Sequence, residues 1–153
     1  MSKGEIAKNY FLSGYNCAQS VVLAFKEEVG MDETTLLKVA SSFGGGLGRL
    51  RLTCGAVSGV AVIIGLIFAE SENSPENKIQ TYAITRELCE RFQNENGSLI
   101  CADLLTGANV QVTVGGDAEK RTDAYYKKRP CADIVYSAAE ILENYLKEKG
   151  IIV

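Results

Sequence analysis

Four of the five cysteines in the chain, Cys17, Cys54, Cys101 and Cys131, stand where helices are predicted to begin. Asn16 is a good N-cap directly before Cys17 and Thr53 directly before Cys54. Ser98 lies three residues before Cys101, and Pro130 suits a first helical turn beside Cys131. At a helix start, free backbone N–H groups and the positive end of the helix dipole stabilise a thiolate, so that a cysteine pKa can fall from about 8.5 to roughly 3.5–7.5. The thiolate is the form that attacks disulfides and binds metals. The competing reading is plain packing, because cysteine behaves as a small hydrophobe and is often buried. The shared placement of the four argues for a functional set. Cys89, inside a helical pattern between Leu88 and Glu90, lacks that placement and is expected to be a packing residue.

The intervals between the four are 37, 47 and 30 residues, with no Cys-x-x-Cys pair. A zinc ribbon, a thioredoxin-type pair and a ferredoxin-type run are therefore not available, and any site must be assembled by folding. Two chemistries remain. One is a pair, or two pairs, cycling between dithiol and disulfide. The other is a cage in which Cys17, Cys54, Cys101 and Cys131 hold zinc or an iron-sulfur cluster. The cofactor is thus none, zinc or a cluster, and four thiols allow three full pairings. The chain has no histidine, which removes Cys-His and Ser-His nucleophile pairs and imidazole ligands.

The elements that must position these thiols read as helices. Ile6, Ala7, Tyr10 and Phe11 recur at helical spacing before Ser13-Gly14. A second helix runs from Cys17 toward Gly30 with Ala18, Val21, Val22 and Phe25 inward, and Asp32 caps a third with Leu36, Leu37, Val39 and Ala40 inward. A glycine-rich turn, Gly44-Gly45-Gly46-Leu47-Gly48, then delivers Cys54 to the longest apolar stretch. Gly44, Gly45 and Gly46 resemble a phosphate loop only loosely, lacking its Gly-Lys-Ser/Thr ending, so close backbone approach to the thiols is the simpler role. Leu52 to Ala69 is uncharged for eighteen residues, but three glycines, Thr53, Cys54 and Ser58 dilute it, so a central core helix over about 54–69 is expected rather than a membrane span. Gly55 and Gly59, with Ala61 and Gly65, should let another helix approach closely.

A helix over about 76–94 should bury Ile79, Ala83, Leu88 and Phe92, and a short one should follow Ser98. A final helix after Pro130 should bury Ile134, Val135, Ala138, Ile141, Leu142 and Tyr145. Val110 to Val114 alternates like a strand without a partner, and reads as an arm lying on the surface or joining two copies. Lys120-Arg121 and Lys127-Lys128-Arg129 read as solvated surface, although charges so near Cys131 would lower its pKa if they folded inward. The 153 residues make one all-α domain of about six or seven helices around the central one. A net charge of −3 with both signs scattered gives no footprint for nucleic acid. The N-terminal residues carry no apolar run of signal-peptide type, so a cytoplasmic setting with reduced thiols is expected.

Cys17 in Gly-Tyr-Asn-Cys-Ala-Gln, the Cys54-Gly55-Ala56-Val57-Ser58-Gly59 motif, Cys101 ahead of Leu104-Leu105-Thr106-Gly107, and Cys131 before the last helix together resemble the C_GCAxxG_C_C family of redox-active proteins. The resemblance covers nearly the whole chain. It implies a cytoplasmic protein of anaerobic or facultative microbes with Cys17, Cys54, Cys101 and Cys131 as its four family cysteines, and it leaves the reaction open. The expected function is thiol-based redox chemistry with an unidentified redox partner or small molecule. The alternatives are metal or cluster binding through the same thiols, and a non-catalytic helical module in which the cysteines are core and the arm makes a homo-oligomer.

Overall fold

The computed structural model describes Met1 to Val153. It contains nine helices and no strand: α1 (Lys3–Leu12), α2 (Cys17–Ala24), α3 (Lys26–Val29), α4 (Glu33–Ala40), α5 (Gly55–Phe68), α6 (Pro75–Asn96), α7 (Cys101–Gly107), α8 (Asp123–Lys128) and α9 (Cys131–Glu148). Local capping explains many of the starts. Ser2 with Glu5 and Asn16 with Gln19 form reciprocal capping boxes, while Asp32, Ser74 and Thr122 accept the N–H three residues on. The chain is all-α as its periodicity requires, with more helices than expected for two reasons. Phe25, fully buried, leaves helical geometry and splits α2 from α3 before Gly30 ends the run. Thr122 caps the short α8 within the basic stretch.

The bundle packs around α5, which lies against α2, α6 and α9, with α1 across α9 and α2. The α5 face formed by Ala56, Val57, Val60, Ile63 and Ile64 meets Phe11, Phe25, Leu36, Leu88, Leu142 and Leu146 in one core. Small residues set the closest crossing. A Cβ on Gly59 would stand 2.9 Å from the Ala18 carbonyl oxygen, and one on Gly55 3.2 Å from Cys17 Cβ, so the starts of α5 and α2 touch backbone to backbone. Gly65 faces open space and makes no such approach.

Some expected core positions are not core. Ile79 is 69 % exposed and Val39 is exposed, while Leu37 is half-buried and Ala83 faces out. In α6 the buried residues Ile84, Leu88 and Phe92 begin only at its tenth residue, so its first turns stand clear of the core. The arm over 110–114 is irregular and lies on the chain's own glycine turn. Arg49 Nε–H donates to the Gly115 carbonyl at 2.9 Å, Arg51 Nε–H to the Thr113 carbonyl at 3.0 Å, and the Gly115 N–H to the Arg49 carbonyl. No helix is long and apolar enough to cross a membrane.

Candidate functional site

Cys17, Cys54, Cys101 and Cys131 line one cavity of about 60 Å³, although they come from four different helix starts. Cys17, Cys101 and Cys131 are the first residues of α2, α7 and α9. Cys54 is itself the N-cap of α5, one position earlier than Thr53 predicts, and α7 begins at Cys101 rather than after Ser98. Ser98 instead accepts the Ile100 N–H and donates to Asp103, fixing the turn before α7.

A single antiparallel bridge, Thr53 with Ile100, joins two of these starts. The Cys54 N–H donates to the Leu99 carbonyl at 2.8 Å and the Cys101 N–H to the Leu52 carbonyl at 2.6 Å. Side chains alternate across an extended pair. Since Thr53 and Ile100 point to solvent, Cys54 and Cys101 turn inward on the same side. Cys17 reaches them through the Gly55 contact, and Cys131 arrives on α9, which packs against α2.

The glycine turn packs tightly rather than opening into a cradle. Gly45, Gly46, Leu47, Gly48, Arg49 and Arg51 all have left-handed φ. A Cβ on Gly46 would sit 2.7 Å from both Cys101 Cβ and the Leu52 nitrogen, and Gly44 presses on Asn16. Close backbone approach at the thiols is thus what this turn provides.

Three arginines, none of them recognised from sequence as site residues, complete the cavity wall with Tyr125. Arg51 is 5 % exposed, and its Nη1–H points at Cys101 Sγ, 3.8 Å away. Arg121 lies over Phe11 at 4.4 Å and over Tyr125 at 5.0 Å, and donates to the Phe11 and Tyr15 carbonyls. Arg129 stacks on the other contact of Tyr125 at 5.0 Å and pairs with Glu119. The basic stretch that reads as solvated surface therefore contributes two residues that fold inward. A usable signal was their position, since Arg51 precedes Cys54 by three residues and Arg129 precedes Cys131 by two.

These surroundings separate the thiols. The neighbouring Cys17 thiol holds Cys131 below the ordinary thiol range, against the effect of burial and with help from Arg129, Arg121 and Arg51. The same pairing with Cys131, together with burial and the nearby sulfurs, pushes Cys17 well up. Burial raises Cys101, opposed by Arg51. Burial also pushes Cys54 from 9.0 to about 12, with the Ala56 and Val57 N–H groups pulling the other way. Of the four thiols, only Cys131 is held below the ordinary range. Cys89 lies apart, half-buried against the core beside Leu88 and Phe92, in keeping with packing.

The Cys54 shift has a thermodynamic consequence. Its folded pKa is raised, so burying the neutral thiol contributes stability that is complete below pH 9 and is lost as pH climbs toward 12. Three pKa units correspond to at most about 4 kcal/mol. Between pH 8 and 10.5, urea unfolding should show wild type losing about 2 kcal/mol relative to Cys54→Ala. Parallel alkaline limbs would contradict a neutral buried thiol.

No three cysteine, aspartate or glutamate side chains are arranged so that they could hold a metal ion. The four thiols share one cavity without being drawn into a four-thiolate cage. Searches of curated proteins and of solved structures return no match. A family model described as "Putative redox-active protein (C_GCAxxG_C_C)" matches residues 15–145 and so spans all four cavity cysteines. The chain belongs to that family of redox-active proteins.

Proposed function

We propose that the protein is a thiol-disulfide redox carrier in which Cys131 attacks and Cys17 resolves. The observation that carries this reading is that Cys17 and Cys131, at two helix starts, line one cavity whose wall holds Arg51, Arg121 and Arg129, with the Cys131 thiol held below and the Cys17 thiol above the ordinary range. In the forward step the Cys131 thiolate attacks one sulfur of an external disulfide. A mixed disulfide forms and the other sulfur leaves as a thiolate, which takes the Cys17 proton. The Cys17 thiolate then attacks the Cys131 sulfur, giving the Cys17-Cys131 disulfide and releasing the second substrate sulfur as a thiolate, which takes a proton from water. Two electrons pass from the protein to the substrate. A reduced external dithiol reverses the sequence.

Cys101 and Cys54 support a second stage of exchange. Their inward orientation beside the pair offers a route for passing the disulfide deeper once one of them gives up its proton and attacks, and the raised pKa of each keeps it from competing with Cys131 for the external disulfide. A cytoplasmic setting, where thiols are normally kept reduced, suits a carrier of this type.

The test is a free-thiol count on reduced protein before and after mild oxidation with a small disulfide, followed by peptide mapping. The count should fall by two with Cys17 joined to Cys131, and a dithiol should restore it. Oxidation that leaves the count unchanged, or joins only Cys89 between chains, would sink the proposal.

A further inference from the structure

Two guanidinium groups at the thiol cavity have no carboxylate beside them. Glu119 answers Arg129 and Arg49. Arg51 and Arg121 form no ion pair, and Arg121 spends its donors on the carbonyls of Phe11 and Tyr15. Arg51 is more exceptional. Its Nε–H and Nη1–H have acceptors, but Nη2 is buried with no hydrogen-bond partner. A buried charged donor left without an acceptor is strongly unfavourable, and native proteins satisfy such groups with water or a ligand. No carboxylate lines the cavity of about 60 Å³ beside them, so its wall carries unbalanced positive charge. Water needs roughly 10–15 Å³ on this measure, so there is room for about four water-sized atoms.

We propose that the cavity binds a small free oxyanion, held by the unpartnered Nη2–H of Arg51 in the field of Arg121, next to the thiols. Guanidinium is the side chain best matched to an oxyanion, through paired donors and a charge that does not titrate. The walls supply no carboxylate to repel it, since the cavity is lined by cysteines, arginines, glycines, Asn16, Tyr125 and apolar residues. The inference rests on the thiol site proposed above and adds the class of molecule admitted to it.

The experiment compares two alkylating probes of similar size, anionic iodoacetate and neutral iodoacetamide, on the full reduced chain at low ionic strength, with the modified cysteine located by mass spectrometry. An anion site beside Cys131 should raise the iodoacetate-to-iodoacetamide rate ratio about tenfold or more over that of the urea-unfolded chain, within the range of electrostatic focusing. Added sulfate or arsenate at millimolar concentration should protect Cys131 from both probes. In Arg51→Met the ratio should collapse to the unfolded value, and circular dichroism would show whether that variant folds. The sulfate competition on wild type stands whether or not it does. A ratio no higher than in the unfolded chain, protection by acetate but not by sulfate or arsenate, or a folded Arg51→Met with both rates lowered in parallel would each overturn the oxyanion site. If the Cys17-Cys131 disulfide still forms reversibly in that event, the carrier reading survives without it. If that disulfide does not form but the ratio is high, the carrier reading fails and the anion site stands.

Discussion

Cys131→Ser should remove the fast-reacting thiol of the chain, lowering the iodoacetamide rate at pH 7 by at least about tenfold. Every other cavity sulfur is pushed toward protonation. Cys54, at about 12, exposes only about one thiolate in 10⁵ at pH 7, and burial still raises Cys17 and Cys101 when Cys131 is gone. The companion variant is Cys17→Ala. The Cys17 thiol is the largest influence lowering Cys131, so its loss should move the pH midpoint of Cys131 alkylation upward while the modified residue stays the same. Mass-spectrometric location of the label across a pH series reads both effects. Labelling in wild type that favours Cys101 or spreads over all four cysteines would reject the assigned order.

Gly46→Val should be among the most damaging single substitutions outside the apolar core, costing about 2–4 kcal/mol. Gly46 has φ +71°, and an added Cβ would meet the Cys101 Cβ, the Leu52 nitrogen and the Arg51 Cα, each within 2.8 Å. Two of the three are backbone atoms that cannot rotate away, and β-branched side chains tolerate a left-handed φ worst. At roughly 2–4 °C per kcal/mol for a chain of this size, thermal unfolding should fall by about 4–16 °C. Gly48→Ala separates the two causes. Gly48 is also left-handed, at φ +56°, but nothing lies within 4 Å of its added Cβ, so it should lose only about 1–2 kcal/mol. Equal losses in the two variants would show that the packing of Gly46 on Cys101 carries no weight.

Local features were legible and distant ones were not. Asn16 announces α2, and with it the place of Cys17, because a cap acts within three residues. The same reasoning put Cys54 and Cys101 a few residues off, since it assigned the caps to Thr53 and Ser98. The Thr53-Ile100 bridge takes over there, and its partner lies 47 residues along the chain. Ile79 has the right spacing for a buried stripe, yet it sits where no neighbouring helix covers α6. Arg121 and Arg129 look like ordinary surface charges until Phe11 and Tyr125 supply aromatic faces on which they fold inward.

The sequence alone determined the helical class, the core face of α9 and the placing of four cysteines at helix starts, because periodicity and capping are set within a turn or two of chain. Tertiary structure decided that Cys17 and Cys131, 114 residues apart, line one cavity, that Cys131 is the more acidic of the two, and that Arg51 is buried beside them. Those properties depend on burial and on charges within a few ångströms, and such neighbours exist only once the helices have packed.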